Sequence, residues 1–114
     1  MELEERQLML TTAWLFARHG QGPRARVLLE AVAEEEPRDG ISAIAFSDLL
    51  LGAGDAARAL EVLHVADVPP TLAHAAAVLE TRALQALGRR GEAAARWNRY
   101  LEARKGAGRN WLAS

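Results

Sequence analysis

The sequence predicts an all-α protein made of three similar helical hairpins. Alanine, leucine, arginine and glutamate, which favour helices, are abundant, whereas the aromatic residues that favour strands make up 5% of the chain. Three equally spaced glycines are each followed, at a constant distance, by an alanine: Gly20 and Ala25, Gly54 and Ala59, Gly88 and Ala93. The period of about 34 residues is typical of stacked repeats, in which each unit buries its apolar face against its neighbours.

The length of the chain sets its domain organisation. A chain of 114 residues suits one compact domain, so we expect a single domain over residues 1–114. The period divides it into repeats at approximately 6–39, 40–73 and 74–107. Gly106 and Gly108 near the end predict a flexible tail over residues 106–114.

The first repeat shows how each unit is expected to fold. A predicted helix over about 3–19 has an apolar surface too broad for one packed face, so it should contact structure on two sides. The segment 20–23 ends this helix and begins the next, because glycine suits a left-handed C-terminal position and proline suits a first helical turn. The second helix covers about 24–35, and Pro37 closes it.

The second and third repeats follow the same order. In the second, helices are predicted over 41–51 and about 56–66, with Ser42 and Asp55 as their caps and Pro69-Pro70 as the end of the pair. In the third, helices are predicted over about 70–87 and 92–105. This leaves Asn110-Trp111-Leu112 as an isolated apolar tip.

Other columns of the repeat have the character that close helix packing requires. Two turns before each glycine is a small residue: Ala13, Ser47 and Thr81. Large apolar residues stand one turn before each glycine and one turn after each alanine: Phe16, Leu50, Leu84, Leu29, Leu63 and Trp97. Small residues at a helix crossing, with large ones on the next turns, predict close packing within each hairpin.

Charge is unevenly distributed along the chain. Residues 1–55 hold 10 acidic and 5 basic residues, and residues 56–114 hold 5 acidic and 9 basic residues, so the two parts carry −5 and +4. The net charge is −1, whereas a nucleic-acid-binding domain is normally basic overall. We therefore interpret the basic side chains of the third repeat as a solvated helix face rather than a phosphate-binding patch.

Groups that could support catalysis or metal binding are widely spaced. His19, His64 and His74 lie far apart in the sequence, and no two of them have the spacing of one helical turn that places two ligands on one helix face. No Ser/His/Asp arrangement is recognisable, the glycines match no phosphate-binding loop, and there is no cysteine to bind a metal. We predict no enzymatic activity, no cofactor and no metal.

The N-terminal sequence predicts a location. It begins with Glu2, Glu4 and Glu5, and it lacks the basic start and apolar run of a signal peptide. No apolar stretch approaches the roughly 20 residues that cross a bilayer. Because a cysteine-free chain also suits a reducing compartment, we predict a cytoplasmic protein without a membrane span.

The repeat resembles the tetratricopeptide repeat. Residues 6–39 match its pattern best, with Ala13, Phe16, Gly20, Ala25, Leu29 and Pro37 in register. The characteristic early tryptophan is replaced by Met9, Ala43 or Ala77, and Lys105 replaces the closing proline of the last unit. The resemblance implies three tandem helix-turn-helix repeats that form a short right-handed superhelix with a concave groove.

Three such units in a short chain resemble the small chaperones of type III secretion systems, and the YscY/PscY family in particular. The resemblance rests on Trp14-Leu15, Gly20, Arg24-Ala25, Leu28-Leu29, Pro37 and Tyr100-Leu101-Glu102, together with chain length and repeat number. It implies a cytosolic chaperone that binds a small cognate export substrate of the YscX/PscX type. It also implies help in targeting that substrate to the export gate protein.

In this repeat class the first helix of each pair lines the groove, so groove positions can be counted back from each marker glycine. The apolar floor predicted in this way consists of Leu10, Trp14, Ile41, Ile44, Leu51 and Val78. The polar edges are Arg18, Asp48, Arg82 and Gln85. Such a surface suits an amphipathic helix of a partner protein.

Other interpretations of these residues remain open at this point. Periodicity alone does not separate groove from core, so Trp14 and the isoleucines would also suit internal packing. The same apolar face would equally suit a homodimeric repeat scaffold. Within the secretion system, a chaperone of the needle subunit is the alternative to a YscX/PscX-type chaperone.

Overall fold

A computed structural model describes the backbone of residues 1–113 and the side chains of residues 1–108. The described part is helical, as predicted. Its elements are α1 (Leu3–Arg18), α2 (Gly22–Glu35), α3 (Gly40–Gly52), α4 (Ala56–Val65), a 3₁₀ turn (Pro70–Leu72), α5 (Ala73–Ala86) and α6 (Arg90–Ala113).

The helices pack as three successive hairpins. Contacts are most extensive within the pairs α1/α2, α3/α4 and α5/α6, whose short turns make the partners antiparallel. Neighbouring hairpins meet where α3 packs on α2 and where α5 packs on α4. In addition, α3 contacts both α1 and α5, so the first helices of the hairpins lie in a row.

The three glycines that define the period share one backbone geometry. Gly20, Gly54 and Gly88 have φ angles of 74°, 83° and 77°, in the left-handed region that favours glycine. The backbone N–H that follows each glycine donates a hydrogen bond to a carbonyl in the last turn of the preceding helix. The three acceptors are Phe16, Leu50 and Leu84, at 2.8, 2.8 and 2.9 Å. This is the Schellman arrangement, and it confirms the predicted role of the glycines in ending the first helices.

The small residues of the repeat lie where the helices cross. Ala25, Ala59 and Ala93 are almost completely buried, as are Ala13 and Ser47. The Ser47 hydroxyl donates a 2.6 Å hydrogen bond to the Ala43 carbonyl, so its burial leaves no polar atom unpaired. A larger side chain in this column would force the helices of a hairpin apart.

Helix α3 is the centre of the molecule. It contributes to a core cluster formed with the first hairpin and α4, and its Leu51 also packs against a second cluster formed by α4, α5 and α6. The largest fully buried side chains are its Phe46 and Leu50, followed by Val32. An apolar helix of this kind is therefore buried on more than one side.

The caps and starts of three helices differ from, or refine, the sequence-based prediction. Asp39, not Ser42, caps α3: its carboxylate accepts a 3.1 Å hydrogen bond from the Ser42 backbone N–H and another from the Ser42 hydroxyl. Asp55 caps α4 as predicted, accepting from the Arg58 backbone N–H at 3.3 Å. Before α5, the chain forms a 3₁₀ turn that begins at Pro70, because Pro69 precedes another proline and is held in an extended conformation.

Helix α6 continues past its predicted end near Lys105 to Ala113, so the predicted tail over 106–114 is helical in the part described. A glycine inside a helix costs about 1 kcal/mol relative to alanine, and neighbouring alanine, arginine and lysine residues offset the cost of Gly106 and Gly108. The side chains of the predicted apolar tip, Asn110, Trp111 and Leu112, lie outside the described ones.

The two linkers between hairpins are joined to each other. The Arg38 guanidinium donates two hydrogen bonds to the Asp67 carboxylate, at 2.9 and 3.1 Å, and the Asp67 backbone N–H donates to the Arg38 carbonyl at 2.9 Å. Gly40 is buried against this contact, with no room for a side chain. The start of α3 is thereby fixed against the segment that precedes α5.

The interface between the second and third hairpins holds a charged cluster. Glu80 of α5 holds the repeat position that Phe46 holds in α3, and its side chain is only 17% exposed. Arg96 Nε donates to this carboxylate at 2.7 Å, and His64 Nε2 lies 3.2 Å away. Burial raises the pKa of this carboxyl, but the hydrogen bonds from Arg96 and His64 outweigh burial and hold the pKa below its usual value.

No helix within residues 1–113 combines the length and the apolar character needed to cross a lipid bilayer.

Gly40→Ala is expected to destabilise the protein strongly. A Cβ at this position would lie 2.7 Å from Pro69 Cδ and 2.8 Å from Val68 Cα, and it would also collide with the Asp67 carbonyl oxygen. Because most of these atoms are backbone, the cost should be about 1–3 kcal/mol or more, seen as a lower melting temperature by circular dichroism. Gly91→Ala, in open space within α6, is the matched control and should be neutral or stabilising. Equal effects of the two changes would contradict the packing described for Gly40.

Glu80→Gln should cost roughly 1–3 kcal/mol at pH 7, because Arg96 loses its carboxylate partner in a half-buried setting. The folded pKa of Glu80 is depressed, so its stabilisation is complete above the ordinary glutamate pKa of about 4.3 and is lost as pH falls toward the lower folded value. The difference in melting temperature between wild type and Glu80→Gln should therefore shrink below about pH 4. Glu61→Gln, which changes an exposed pair with Arg58, is the control and should have little effect.

Candidate functional site

The first helices of the three hairpins form one surface. Because α3 contacts both α1 and α5, the outer sides of these three helices are continuous. We call this surface the first-helix face and assign to it the ten residues predicted for the groove, all of which belong to α1, α3 and α5: Leu10, Trp14, Arg18, Ile41, Ile44, Asp48, Leu51, Val78, Arg82 and Gln85. None of the ten is buried.

An ion pair across the face shows that equivalent positions lie side by side. Asp48 of α3 and Arg82 of α5 stand at the same distance before a marker glycine, and Arg82 Nη1 lies 3.9 Å from Asp48 Oδ1. Trp14 holds the same position on α1. Both charged side chains are more than half exposed, so the pair contributes little to stability and is available to a ligand.

Apolar side chains on the face differ in how far they reach solvent. Trp14 is 57% exposed and Ile41 is 59% exposed. Leu10 and Leu51 are partly buried and pack against the first core cluster, while Ile44 and Val78 are also partly buried. The face therefore has a partly buried apolar floor that packs on the core, and the side chains of Trp14 and Ile41 project from this floor into solvent.

Trp14 has a cation beside its ring. The guanidinium carbon of Arg18, one helical turn further on, lies 5.1 Å from the centre of the indole. A cation–π contact at an exposed site contributes about 0.5–1 kcal/mol, and here it orients both side chains on α1. These two residues and the Asp48–Arg82 pair are the predicted site residues that the structure brings into direct contact.

A crevice next to the face was not predicted. It has a volume of about 590 Å³ and lies between the start of α2 and the end of α3. Its lining includes Gly22, Pro23 and Arg26 from α2, together with Asp48 and Leu49 from α3. The signal in the sequence is Gly52-Ala53 at the end of α3, which also line the crevice; the corresponding residues of the other hairpins, Arg18-His19 and Ala86-Leu87, are larger.

Two of the three histidines, His64 and His74, lie in side-chain clusters that include residues of the third hairpin. His74 Nδ1 lies 3.2 Å from the Tyr100 hydroxyl, and the ring also contacts Trp97 edge-on with a 6.1 Å centroid separation. His64 pairs with Glu80. Within residues 1–113, no group of three or more possible protein ligands is arranged to hold a metal ion.

A second apolar feature lies away from the first-helix face. Leu8 and Leu15 of α1 are 67% and 44% exposed, and their spacing of two helical turns places them on one side of the helix. The sequence predicts that the broad apolar surface of this helix is covered on two sides, and within the described chain this second side is uncovered.

In comparisons with protein-family models and with curated proteins, the chain has no significant match.

Proposed function

We propose that this protein is a binding protein for an amphipathic helix, and that it acts as a cytoplasmic type III secretion chaperone for a small export substrate of the YscX/PscX type. The first-helix face is the binding surface. The observation that carries the proposal is the exposure of large apolar side chains on this face, beside the charged pair Asp48 and Arg82.

The repeat geometry supports a tetratricopeptide-like arrangement. Three turns of one geometry recur at a fixed interval, and the second and third hairpins each pack on the one before through their first helix. In this arrangement the hairpins form a short right-handed superhelix, and the first-helix face is its concave groove. A groove of this kind suits a partner helix that presents apolar side chains at positions i, i+3, i+4 and i+7.

The chemistry of the face suits holding such a helix. Burial of an exposed valine, leucine or isoleucine contributes about 1.5–3 kcal/mol as a gross hydrophobic term, before the ordering and association costs of binding. Trp14 and Ile41 have the most area to bury. Asp48, Arg82 and Arg18 can pair with charges on the polar side of the ligand, which sets its register and direction.

The proposed mechanism is shielding. Apolar surface of the substrate is held in the groove, so it is unable to aggregate or assemble before export. The chaperone then brings the bound substrate to the export gate protein, and the basic residues Arg82, Arg89 and Arg90 near one end of the groove would orient the complex. No cofactor or chemical step is required for this role.

Trp14→Ala should weaken binding of a YscX/PscX-type substrate by about 2 kcal/mol or more, which is roughly 30-fold, because a large aromatic anchor is lost. Ile44→Asp should abolish copurification, because it places a charge in the apolar floor. Coexpression and affinity copurification, followed by titration calorimetry, measure both effects. Val27→Asp is the control, since Val27 is an exposed apolar residue on α2, away from the first-helix face.

Three results would contradict the proposal. Loss of the helical circular dichroism signal in Trp14→Ala would show that this residue supports the core instead of the ligand. Retention of the needle subunit rather than the YscX/PscX-type protein would favour the alternative chaperone. A stable homodimer abolished by Ile44→Asp would favour a homodimeric scaffold.

A further inference from the structure

The two internal junctions between hairpins follow one rule. Where α3 meets the first hairpin, it presents Ser42, Phe46 and Leu49, and Phe46 packs in a cluster with residues of α1 and α2. Helix α5 meets the second hairpin with the residues one repeat later, which are Ala76, Glu80 and Ala83. Of these, Ala83 packs against α4. The same helix face thus docks each hairpin on the one before it.

Helix α1 has this docking face, but no helix in the described part of the chain packs against it. The positions one repeat before those of α3 are Leu8, Thr12 and Leu15, which we call the leading face. Leu8 is 67% exposed and Leu15 is 44% exposed, whereas Ser42 and Ala83, which hold corresponding positions in α3 and α5, are buried. Two large apolar side chains are therefore exposed at positions where the other two hairpins have buried or partly buried residues.

The opposite end of the molecule has the complementary surface. A cavity of about 520 Å³ opens on α5 and α6, and we call its lining the trailing cradle: Thr81, Gln85, Arg90, Ala93, Ala94 and Trp97. The residues one repeat earlier are Ser47, Leu51, Ala56, Ala59, Leu60 and Leu63. Within the chain, Leu51, Ala56 and Leu60 of this earlier set pack in the cluster that receives α5.

The two ends also match in size. At the internal junction, the large Leu60 of the cradle meets the small Ala83 of the docking helix. At the ends the sizes are exchanged, because Ala94 stands at the cradle position of Leu60 and Leu15 stands at the docking position of Ala83. The large leucines of the leading face therefore match in size the space that the small Ala94 leaves in the trailing cradle.

Charge favours the same pairing. The crevice is lined by the start of α2 and the end of α3, so the docking helix α3 runs antiparallel to α2. The start of α3 therefore lies toward the end of α2. By this register, the acidic first turn of a docked α1, with Glu4 and Glu5, would lie toward Arg99, Arg104 and Lys105 of α6.

We propose that the leading face of one copy docks into the trailing cradle of a second copy, so that the protein associates head to tail. The junction repeats between chains the packing that the hairpins already use within the chain. Because the two surfaces differ, the contact is heterologous, and addition of further copies extends the assembly as an open chain. The contact overlaps the first-helix face only at its edge, at Gln85 of the cradle and Arg18 of the docked helix. Leu15 and Ala94 lie outside that face, so changes at these two residues test the inference independently of the proposed chaperone function.

One like-charge contact limits the strength of this junction. The register brings Arg18 of the docked helix toward Arg90 of the cradle, since their counterparts Gly52 and Gly22 line the same crevice. Association is therefore expected to be weak and to decrease with rising salt, because the attraction of Glu4 and Glu5 for α6 is screened. Arg90→Glu converts the repulsion into a pair and should strengthen association about tenfold.

The test uses two variants that each disable one end. Leu15→Asp blocks the leading face, and Ala94→Glu blocks the trailing cradle; both positions are exposed, and circular dichroism confirms that each variant folds. Sedimentation equilibrium should show association of the wild type that depends on concentration, and at least roughly 30-fold weaker self-association of each variant. An equimolar mixture of the two variants should form a dimer and nothing larger, because a single intact pair of surfaces remains.

Several outcomes would overturn the inference. These are a wild type that stays monomeric at all concentrations reached, a variant that still self-associates, a mixture that stays monomeric, or association that Arg90→Glu fails to strengthen. If Leu15→Asp were poorly folded, Leu8→Gln would serve as the leading-face variant, with the same expected result. Both end variants should still bind an export substrate through the first-helix face, so failure of this inference is distinguishable from failure of the proposed function.

Discussion

The left-handed turn at three glycines is the constraint on which the rest of the structure depends. Each turn fixes the angle between the two helices of a hairpin, because the backbone N–H that follows the glycine closes onto the last turn of the first helix. Because the same angle recurs, one small residue on each helix allows close contact within every hairpin. For the same reason, the same helix faces meet at every junction between hairpins. The residues of the core, of the first-helix face and of both ends are consequences of this repetition.

Much of the fold follows from local chemistry that the sequence displays directly. Glycine, alanine and the prolines have narrow conformational or steric roles, so the turn positions and buried columns such as Ala25 and Ala59 are predictable. The errors lie where two local choices compete. Asp39 and Ser42 both suit a helix cap, and tertiary packing of Gly40 against the linker decides for Asp39. Gly106 and Gly108 weaken a helix without stopping it.

The candidate site is predictable in position but not in degree of exposure. Counting back from the glycines places Asp48 and Arg82 at equivalent points, and their ion pair confirms that these points are neighbours. Whether Leu10 and Ile44 reach solvent depends on how deeply adjacent helices interlock, and a sequence period does not specify that depth. Leu8 and Leu15 are recognisable as one apolar surface, but only the position of α1 at the end of the row leaves them uncovered.

The exchange of Phe46 for Glu80 makes the two junctions unequal in kind. At the first junction, the ring of Phe46 packs in an apolar cluster. At the second, the Glu80 carboxylate contacts Arg96 and His64. In a linear array, each interface contributes its own nearest-neighbour free energy, so a change at one junction leaves the other unaltered. Acid should therefore act on the second junction and spare the first, because protonation of Glu80 changes its contact with His64 across the hairpins, whereas the ring of Phe46 has no group to titrate.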